Sequence, residues 1–161
     1  MRYAKYLADE ELSDVKHEYC NGAVVAMAGG TIAHSRLKTN LARLVGNSLD
    51  GKPCAAFDAD ARVRVTATSL ATYPDVSVVC GPVQVDDEDP NAIVNPTALF
   101  EVLSPSTAGY DRGEKFDHFM LIPTLRAYVI VDHARPHIDV DVQVDQVYDG
   151  WEALRGVEGR G

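Results

Sequence analysis

The chain has 161 residues, 46% of them hydrophobic and 24% charged, and its formal net charge at pH 7 is −9. This composition is typical of a globular protein with one domain, here residues 1–161, and it excludes disordered and fibrous classes. The acidic balance argues against a protein that coats nucleic acid indiscriminately.

No apolar run approaches the roughly 20 residues that a membrane-spanning helix needs. The N-terminal segment also lacks a hydrophobic stretch of signal-peptide type. We therefore expect no contact with a membrane, no export and a cytoplasmic location. The widely spaced Cys20, Cys54 and Cys80 favour reduced thiols over a disulfide framework.

The first third of the chain predicts a short helix, a hairpin and a long helix. The short helix is expected around residues 4–12, and Asn21-Gly22 between two extended runs is a strong hairpin signal. Apolar residues then follow helical spacing from Thr31 to about Leu49. We interpret the basic residues of this helix as a solvated face: Arg36, Lys38 and Arg43.

The segment "FDADARVRV" alternates between apolar and charged residues. This pattern predicts one half-solvated strand over residues 57–65, with Arg62 and Arg64 pointing outward.

The second half predicts strands at residues 75–80 and 98–103, followed by a helix from Arg112 to about Ile122. Asp111 is expected to cap this helix, with Glu114 as the capping-box partner. The runs "AYVIVD" and "HIDVDVQVD" follow as strands. This order predicts an α+β fold with a mixed β-sheet flanked by helices.

Glu101 stands in the middle of an otherwise apolar strand. A buried carboxylate is costly unless it is paired, hydrogen-bonded or bound to a metal. If the strands at 75–80 and 98–103 are antiparallel neighbours, Asp75 lies close to Glu101. Two carboxylates at such a distance require a divalent cation between them or a shared proton.

Lys115 is the candidate for a positive group near these carboxylates. It falls in the first turn of the predicted helix, where the helix dipole disfavours a cation, and this position suggests a specific role. The alternative is a buried ion pair with Glu101 that only joins helix to strand.

Several segments together resemble a known family. They are "HEYCNGAVVAMAGGTIAHSRL", "YPDVSVVCG", "NPTALFEVLSPST" and "YDRGEKFDHFMLIPTLRAYVIVD". They resemble the Uma-type "putative restriction endonuclease" family of the PD-(D/E)XK nuclease superfamily, over about residues 14–133. The resemblance implies one domain with a restriction-endonuclease-like core.

The resemblance also implies residue roles. Asp75 matches the Asp of the PD element, and Glu101 matches the acidic residue of the (D/E)XK element. Leu103 stands where that motif has its lysine, and Lys115 is similar to a lysine that takes over this role from the helix. Glu18 matches a further acidic position, and His34 matches a histidine near the start of the long helix.

The function implied by the resemblance is metal-dependent hydrolysis of DNA phosphodiester bonds. Asp75 and Glu101, with Glu18, are expected to bind Mg²⁺ or Mn²⁺, which lowers the pKa of a bound water. Lys115 is expected to orient that water or to stabilise the developing charge. His34 is expected to support a ligand or to contact the phosphate. A homodimer is expected when both strands of a duplex are cut.

Other interpretations stay open at this point. Glu18 lies in a strand whose side chains alternate between two faces, so it is equally consistent with a solvated position. His34 is equally consistent with a half-buried structural histidine. The departures at Ala23 and Met120 from the residues common in the family weaken the match of the substrate-contacting shell. An inactive nucleic-acid-binding or dimerisation module, and a metal-dependent hydrolase of another phosphoester, are the alternative functions.

Overall fold

The computed structural model describes residues 1–132 and 137–142. The first half of this part contains α1 (Tyr3–Glu10), β1 (His17–Cys20), β2 (Ala23–Ala26), α2 (Ile32–Ser48), β3 (Cys54–Phe57), β4 (Arg62–Val65) and β5 (Leu70–Thr72). The second half contains β6 (Val76–Cys80), β7 (Ala92–Ile93), β8 (Ala98–Leu103), α3 (Ala108–Arg112), α4 (Glu114–Phe119), β9 (Ala127–Asp132) and β10 (His137–Val142).

The strands form two five-stranded sheets, with orders β2-β1-β5-β4-β7 and β10-β9-β8-β6-β3. Each sheet contains one parallel pair, β4 with β7 in the first and β8 with β9 in the second. Both sheets are therefore mixed, and the predicted α+β class is confirmed. The sequence pattern indicated one mixed sheet, whereas the described residues divide between two.

The β1–β2 hairpin confirms the prediction from Asn21-Gly22. Cys20 pairs with Ala23, so the turn contains only Asn21 and Gly22. Their φ angles of 45° and 95° lie in the left-handed region that asparagine and glycine tolerate. The hairpin places Glu18 on β1, which pairs on its other side with β5.

The predicted single strand over residues 57–65 is wrong. Phe57 ends β3 in the second sheet, residues 58–61 cross over, and Arg62 begins β4 in the first sheet. Arg62 and Arg64 are buried instead of solvated. The Arg62 guanidinium donates to both carboxylate oxygens of Asp89, at 2.7 and 2.9 Å, which offsets the cost of burying its charge.

Strand β8 lies between β6 and β9, and its bounds are those that the sequence predicts. Leu99 and Leu103 pack in the larger apolar cluster, together with Phe119 of α4. Phe100 packs on the opposite face with Val45 of α2. Because side chains alternate along a strand, Glu101 lies on the face of Leu99 and Leu103, toward α4.

The predicted helix from Arg112 to Ile122 is two short helices. Gly113 separates α3 from α4, and an added Cβ there would lie 3.1 Å from the Gly109 carbonyl oxygen. Asp111 belongs to α3 and its side chain makes no capping hydrogen bond, so its interpretation as the N-cap is wrong.

The expectation of three reduced thiols is also wrong for this structure. Cys54 of β3 and Cys80 of β6 are directly opposite each other and form a disulfide. Cys20 is the free cysteine among the described residues. The bonded cysteines are 26 residues apart, so their pairing depends on strand register.

The last predicted strand is present as β10, but its expected residues 143–145 lie outside the described residues. No helix within the described ranges is both long and apolar enough to cross a membrane.

Candidate active site

Asp75 and Glu101 lie side by side in the interior of the second sheet, where β6 begins beside β8. Val76 pairs with Phe100, so the antiparallel register continues to Asp75 beside Glu101. The Val102 backbone N–H donates to Asp75 Oδ2 at 2.7 Å, which fixes this carboxylate against β8. The predicted proximity of the two acidic residues is therefore present in the structure.

Lys115 approaches the same point from α4. Its Nζ donates to Glu101 Oε1 at 2.7 Å and to Asp111 Oδ1 at 3.3 Å. Glu101, Asp111 and Lys115 are each 5% exposed or less, so the ion pairs are largely removed from water. Asp111 and Lys115 are four residues apart, and this spacing places them on the same side of the α3–α4 segment.

Glu18 joins this cluster from β1 in the first sheet. Its Oε2 lies 4.0 Å from Lys115 Nζ and accepts a hydrogen bond of 2.6 Å from the Thr72 hydroxyl. Its Oε1 accepts from the Tyr110 hydroxyl. The Glu18 side chain is 13% exposed, so the alternative of a solvated position is wrong.

The Asp75 carboxylate has a second cationic partner. Lys38 of α2 places its Nζ 2.8 Å from Asp75 Oδ1. Four carboxylates thus meet two ammonium groups, a formal excess of two negative charges when all are ionised: Glu18, Asp75, Glu101 and Asp111 against Lys38 and Lys115.

This charge balance shifts the protonation of the buried pair. Burial raises the pKa of Glu101, and the Asp75 and Asp111 carboxylates raise it further, against the opposing effect of Lys115. Burial disfavours the charged form of Lys115, but Glu101, Asp111 and Glu18 outweigh it and raise the pKa of Lys115. Lys115 therefore stays charged, while Glu101 takes up a proton more readily than an ordinary glutamate.

His34 contacts the same part of β8 from α2. Its Nε2–H donates to the Val102 carbonyl oxygen at 2.7 Å, so this ring nitrogen carries the proton. The Thr31 hydroxyl accepts from the His34 backbone N–H at 3.1 Å and caps α2. A Cβ at Gly30 would collide with the imidazole, so the glycine leaves room for the ring.

The donor types at this site suit a hard divalent cation, because Mg²⁺ prefers oxygen ligands such as carboxylates. Within residues 1–132 and 137–142, however, no three His, Cys, Asp or Glu side chains are arranged around one metal position. Lys38 and Lys115 already occupy Asp75 and Glu101 as ion-pair partners in this arrangement. A cation that binds Asp75 and Glu101 would have to displace at least one ammonium group.

All five predicted site residues belong to one connected region. Asp75, Glu101, Glu18 and Lys115 form the charged cluster, and His34 joins it through the Val102 backbone. The sequence analysis missed Asp111, whose spacing to Lys115 was a usable signal. It also missed Lys38, because the sequence does not show that α2 packs beside Asp75.

Comparisons with known proteins identify the family and the fold of this chain. The family model "Uma2: Putative restriction endonuclease" matches residues 3–159. An uncharacterized protein of Synechocystis sp. (strain ATCC 27184 / PCC 6803 / Kazusa) is 40% identical over 136 residues, covering 84% of this chain and 70% of the relative. A second uncharacterized protein of that organism is 34% identical over 129 residues, covering 80% and 73%.

A solved structure shares the fold. It is the crystal structure of a putative nuclease belonging to DUF820 from Anabaena variabilis ATCC 29413, with a TM-score of 0.64 and 18% sequence identity. The match covers 87% of this chain and 86% of that chain.

Proposed function

The chain belongs to the Uma2 family of putative restriction endonucleases, and from this premise we propose that it is a metal-dependent endonuclease that hydrolyses DNA phosphodiester bonds. The observation that carries the proposal is the excess of buried carboxylate around Lys115. A divalent cation would balance this charge, and the site would correspond to the PD-(D/E)XK type.

Asp75 and Glu101 are the residues proposed to hold Mg²⁺ or Mn²⁺, because their carboxylates lie on adjacent strands. Glu18 is the further candidate ligand, although hydroxyl groups already donate to both of its carboxylate oxygens. When bound, the metal supplies a water of lowered pKa and neutralises charge on the scissile phosphate.

Lys115 has two tasks in this proposal. It holds Glu101 and Asp111 in place through two of its ammonium N–H groups. An ammonium has three such donors, so one remains to orient the attacking water. Its burial keeps that donor in a medium of low polarity, where charge stabilisation is strongest.

His34 is proposed to position the site through the backbone of β8. Its hydrogen bond to the Val102 carbonyl fixes the segment of β8 whose N–H holds Asp75. We propose that it keeps Asp75 and Glu101 in register, because both hydrogen bonds act on one residue of the strand.

Two observations favour an inactive relative as the second candidate. Each proposed metal ligand already has a cationic or hydroxyl partner, and the net charge of −9 weakens attraction to DNA. An inactive module would bind nucleic acid or dimerise. A hydrolase of another, smaller phosphoester is the third candidate, since the negative charge handicaps it less.

The cytoplasmic location and the homodimer remain predictions. An intracellular DNA substrate supports the cytoplasmic location. A disulfide such as Cys54–Cys80 is uncommon in that reducing compartment, which makes the redox state of this pair worth measuring.

Calorimetric titration of Mg²⁺ and Mn²⁺ tests the proposal. The proteins are the wild type, Asp75→Asn, Glu101→Gln and the control Asp9→Asn, which neutralises an exposed carboxylate of α1. We expect binding to the wild type and the control, loss of binding in the two site variants, and matching loss of plasmid cleavage. Metal-dependent cleavage that survives in Glu101→Gln would refute the proposal.

The same proteins distinguish the other candidates. DNA binding that is steeply salt-dependent, without cleavage at any metal concentration, indicates the inactive module. Cleavage of small phosphodiesters but not of DNA indicates the third candidate.

A further inference from the structure

Lys38 lies at the solvent side of the charged cluster. It is one turn after His34 on α2, so both side chains leave the helix on the same face, toward the end of β8. The Lys38 side chain is 34% exposed, whereas that of Lys115 is 4% exposed. Of these two lysines, only Lys38 has a substantial surface open to a large ligand.

The two lysines are also held differently. Lys115 is surrounded by Glu101, Asp111 and Glu18, and removing its ammonium would leave buried charge uncompensated. Among the described residues Lys38 makes one ion pair, with Asp75 Oδ1 at 2.8 Å. The lysine end of this pair is open to water, whereas the Asp75 side chain is 8% exposed, so the ammonium can leave at little cost when another cation takes its place at Asp75.

Asp75 is not dependent on Lys38 for its position. Its other oxygen, Oδ2, accepts from the Val102 N–H, so the carboxylate stays beside Glu101 when the ammonium leaves. Oδ1 is therefore the atom that can exchange one cation for another.

We propose that Lys38 is a substrate-contacting residue that binds a non-bridging oxygen of the DNA phosphate at this site. The inference rests on the proposed function. In the free protein Lys38 occupies Asp75 Oδ1, and when a divalent cation takes that oxygen the ammonium turns to the phosphate. Lys38 thus competes with the metal in the absence of DNA and assists substrate binding in its presence.

A lysine suits this exchange because its ammonium is a compact charge on a flexible four-carbon chain. It can move between two anionic partners without any change in α2. No covalent step is involved, and only the ion-pair partner changes.

The two roles predict opposite effects of Lys38→Met. Without DNA, we expect Mg²⁺ to bind about two- to fivefold more tightly by calorimetry, because the Lys38 ammonium no longer competes for Asp75 Oδ1. With Ca²⁺ in place of Mg²⁺, DNA affinity measured by fluorescence anisotropy falls. The slope of log affinity against log salt is reduced by about 1, which corresponds to one lost phosphate contact.

Lys38→Arg and Lys5→Met are the comparison variants. Arginine keeps the charge, so it should retain the wild-type salt slope. Lys5 forms an exposed ion pair with Asp9 at 2.9 Å within α1, so Lys5→Met removes one lysine charge and one ion pair away from the cluster. It should change neither metal affinity nor the salt slope. Urea denaturation with circular dichroism checks that each variant is folded.

The results distinguish a failure of the inference about Lys38 from a failure of the proposed function. If the wild type binds metal and cleaves DNA, while Lys38→Met matches it in metal affinity and in salt slope, the inference is overturned and the proposed function stands. The inference is also overturned if Lys5→Met shows the same changes as Lys38→Met. If the wild type binds no metal with or without DNA, the proposed function fails, and the inference fails with it.

Discussion

Replacing Glu101 by glutamine separates a metal site from a purely structural ion pair. The side chain is 5% exposed and its Oε1 lies 2.7 Å from Lys115 Nζ. If the pair served only to join helix to strand, losing one charged partner would cost about 3–5 kcal/mol. The surrounding charges predict a different outcome, because Lys115 keeps the carboxylates of Asp111 and Glu18.

The magnitude follows from the protonation of Glu101. Burial, together with Asp75 and Asp111, raises the pKa of Glu101 from 4.5 to about 8 in the folded protein. The native state then binds more protons than the unfolded chain between these two values, so stability falls as the pH rises through this range. At pH 7 the native state keeps Glu101 mostly protonated while the unfolded chain ionises it, and this difference lowers the free energy of unfolding by about 3 kcal/mol.

Glutamine keeps the shape of the side chain and removes this cost. In the absence of metal, we expect Glu101→Gln to be at least as stable as the wild type at pH 7. Its stability relative to the wild type should rise by about 2 kcal/mol between pH 5 and pH 7. A hundredfold excess of Mg²⁺ over its Kd should add about 2.7 kcal/mol to the wild type and nothing to the variant.

Urea denaturation followed by circular dichroism, in EDTA or in Mg²⁺ at several pH values, measures these differences. Asp9→Asn serves as the control, because it neutralises an exposed carboxylate. A loss of about 3–5 kcal/mol in Glu101→Gln at pH 7 in EDTA would refute the reasoning and identify a structural pair. A shift with pH of the same size in Asp9→Asn would show that net charge alone is responsible.

Three further substitutions test other buried interactions. Lys115→Met should lower the free energy of unfolding by about 3–5 kcal/mol, because it leaves buried carboxylates without their shared cation. Arg62→Met should cost a similar amount, because its bidentate partner stays buried. Arg64→Met should cost less, about 1–2 kcal/mol, because Arg64 Nε and Nη1 have no hydrogen-bond partner and the guanidinium loses only a 4.0 Å contact with Asp86 and its stacking on Tyr3. Reducing the Cys54–Cys80 disulfide, which closes a loop between residues 26 apart, should cost about 3 kcal/mol.

Urea denaturation provides the measurement for these substitutions too. Near-equal stability of Lys115→Met and the wild type would mean that the carboxylates are satisfied without the lysine. A larger loss for Arg64→Met than for Arg62→Met would contradict the hydrogen-bond argument. For the disulfide, Cys54→Ser/Cys80→Ser compared with the wild type under dithiothreitol separates the bond from the reductant, and equal stability before and after reduction would exclude a stabilising role.

Local sequence signals correctly predicted the elements whose conformation depends on residues close together in the chain. Asn21-Gly22 adopts the backbone angles of a two-residue turn, and apolar continuity delimited β8 and β9 correctly. The proximity of Asp75 to Glu101 was also predictable, because antiparallel pairing of the two predicted strands places the start of one beside the later part of the other. The five predicted site residues follow from this pairing and from the family resemblance.

The remaining features depend on contacts that are distant along the chain. Alternation over residues 57–65 gives a period of two but does not say which sheet each half joins. The burial of Arg62 requires Asp89, which is 27 residues away, and Arg64 lies 3.8 Å from the ring centre of Tyr3. A charge pattern alone predicts a solvated face for both arginines.

Asp111 shows the same difficulty at short range. The sequence around Asp111 is consistent both with a helix cap and with a position inside a helix. The break at Gly113 places Asp111 inside α3, which the sequence pattern did not show. The partner of Lys38 likewise depends on how α2 packs, which its own sequence does not determine.

The charged cluster joins residues from both sheets, so its geometry depends on the relative position of the two sheets. Glu18 belongs to the first sheet, whereas Glu101 belongs to the second, to which α4 is attached through the edge-on contact of Phe119 with Tyr128. The two sheets therefore share one ammonium group, at 2.7 Å from Glu101 and 4.0 Å from Glu18. A small shift of one sheet relative to the other would change the longer distance more than the shorter one, because α4 packs on the second sheet. The distance from Glu18 to Lys115 therefore depends on how the two sheets are oriented relative to each other. Spectroscopic labels on β1 and α4 would measure changes in that distance.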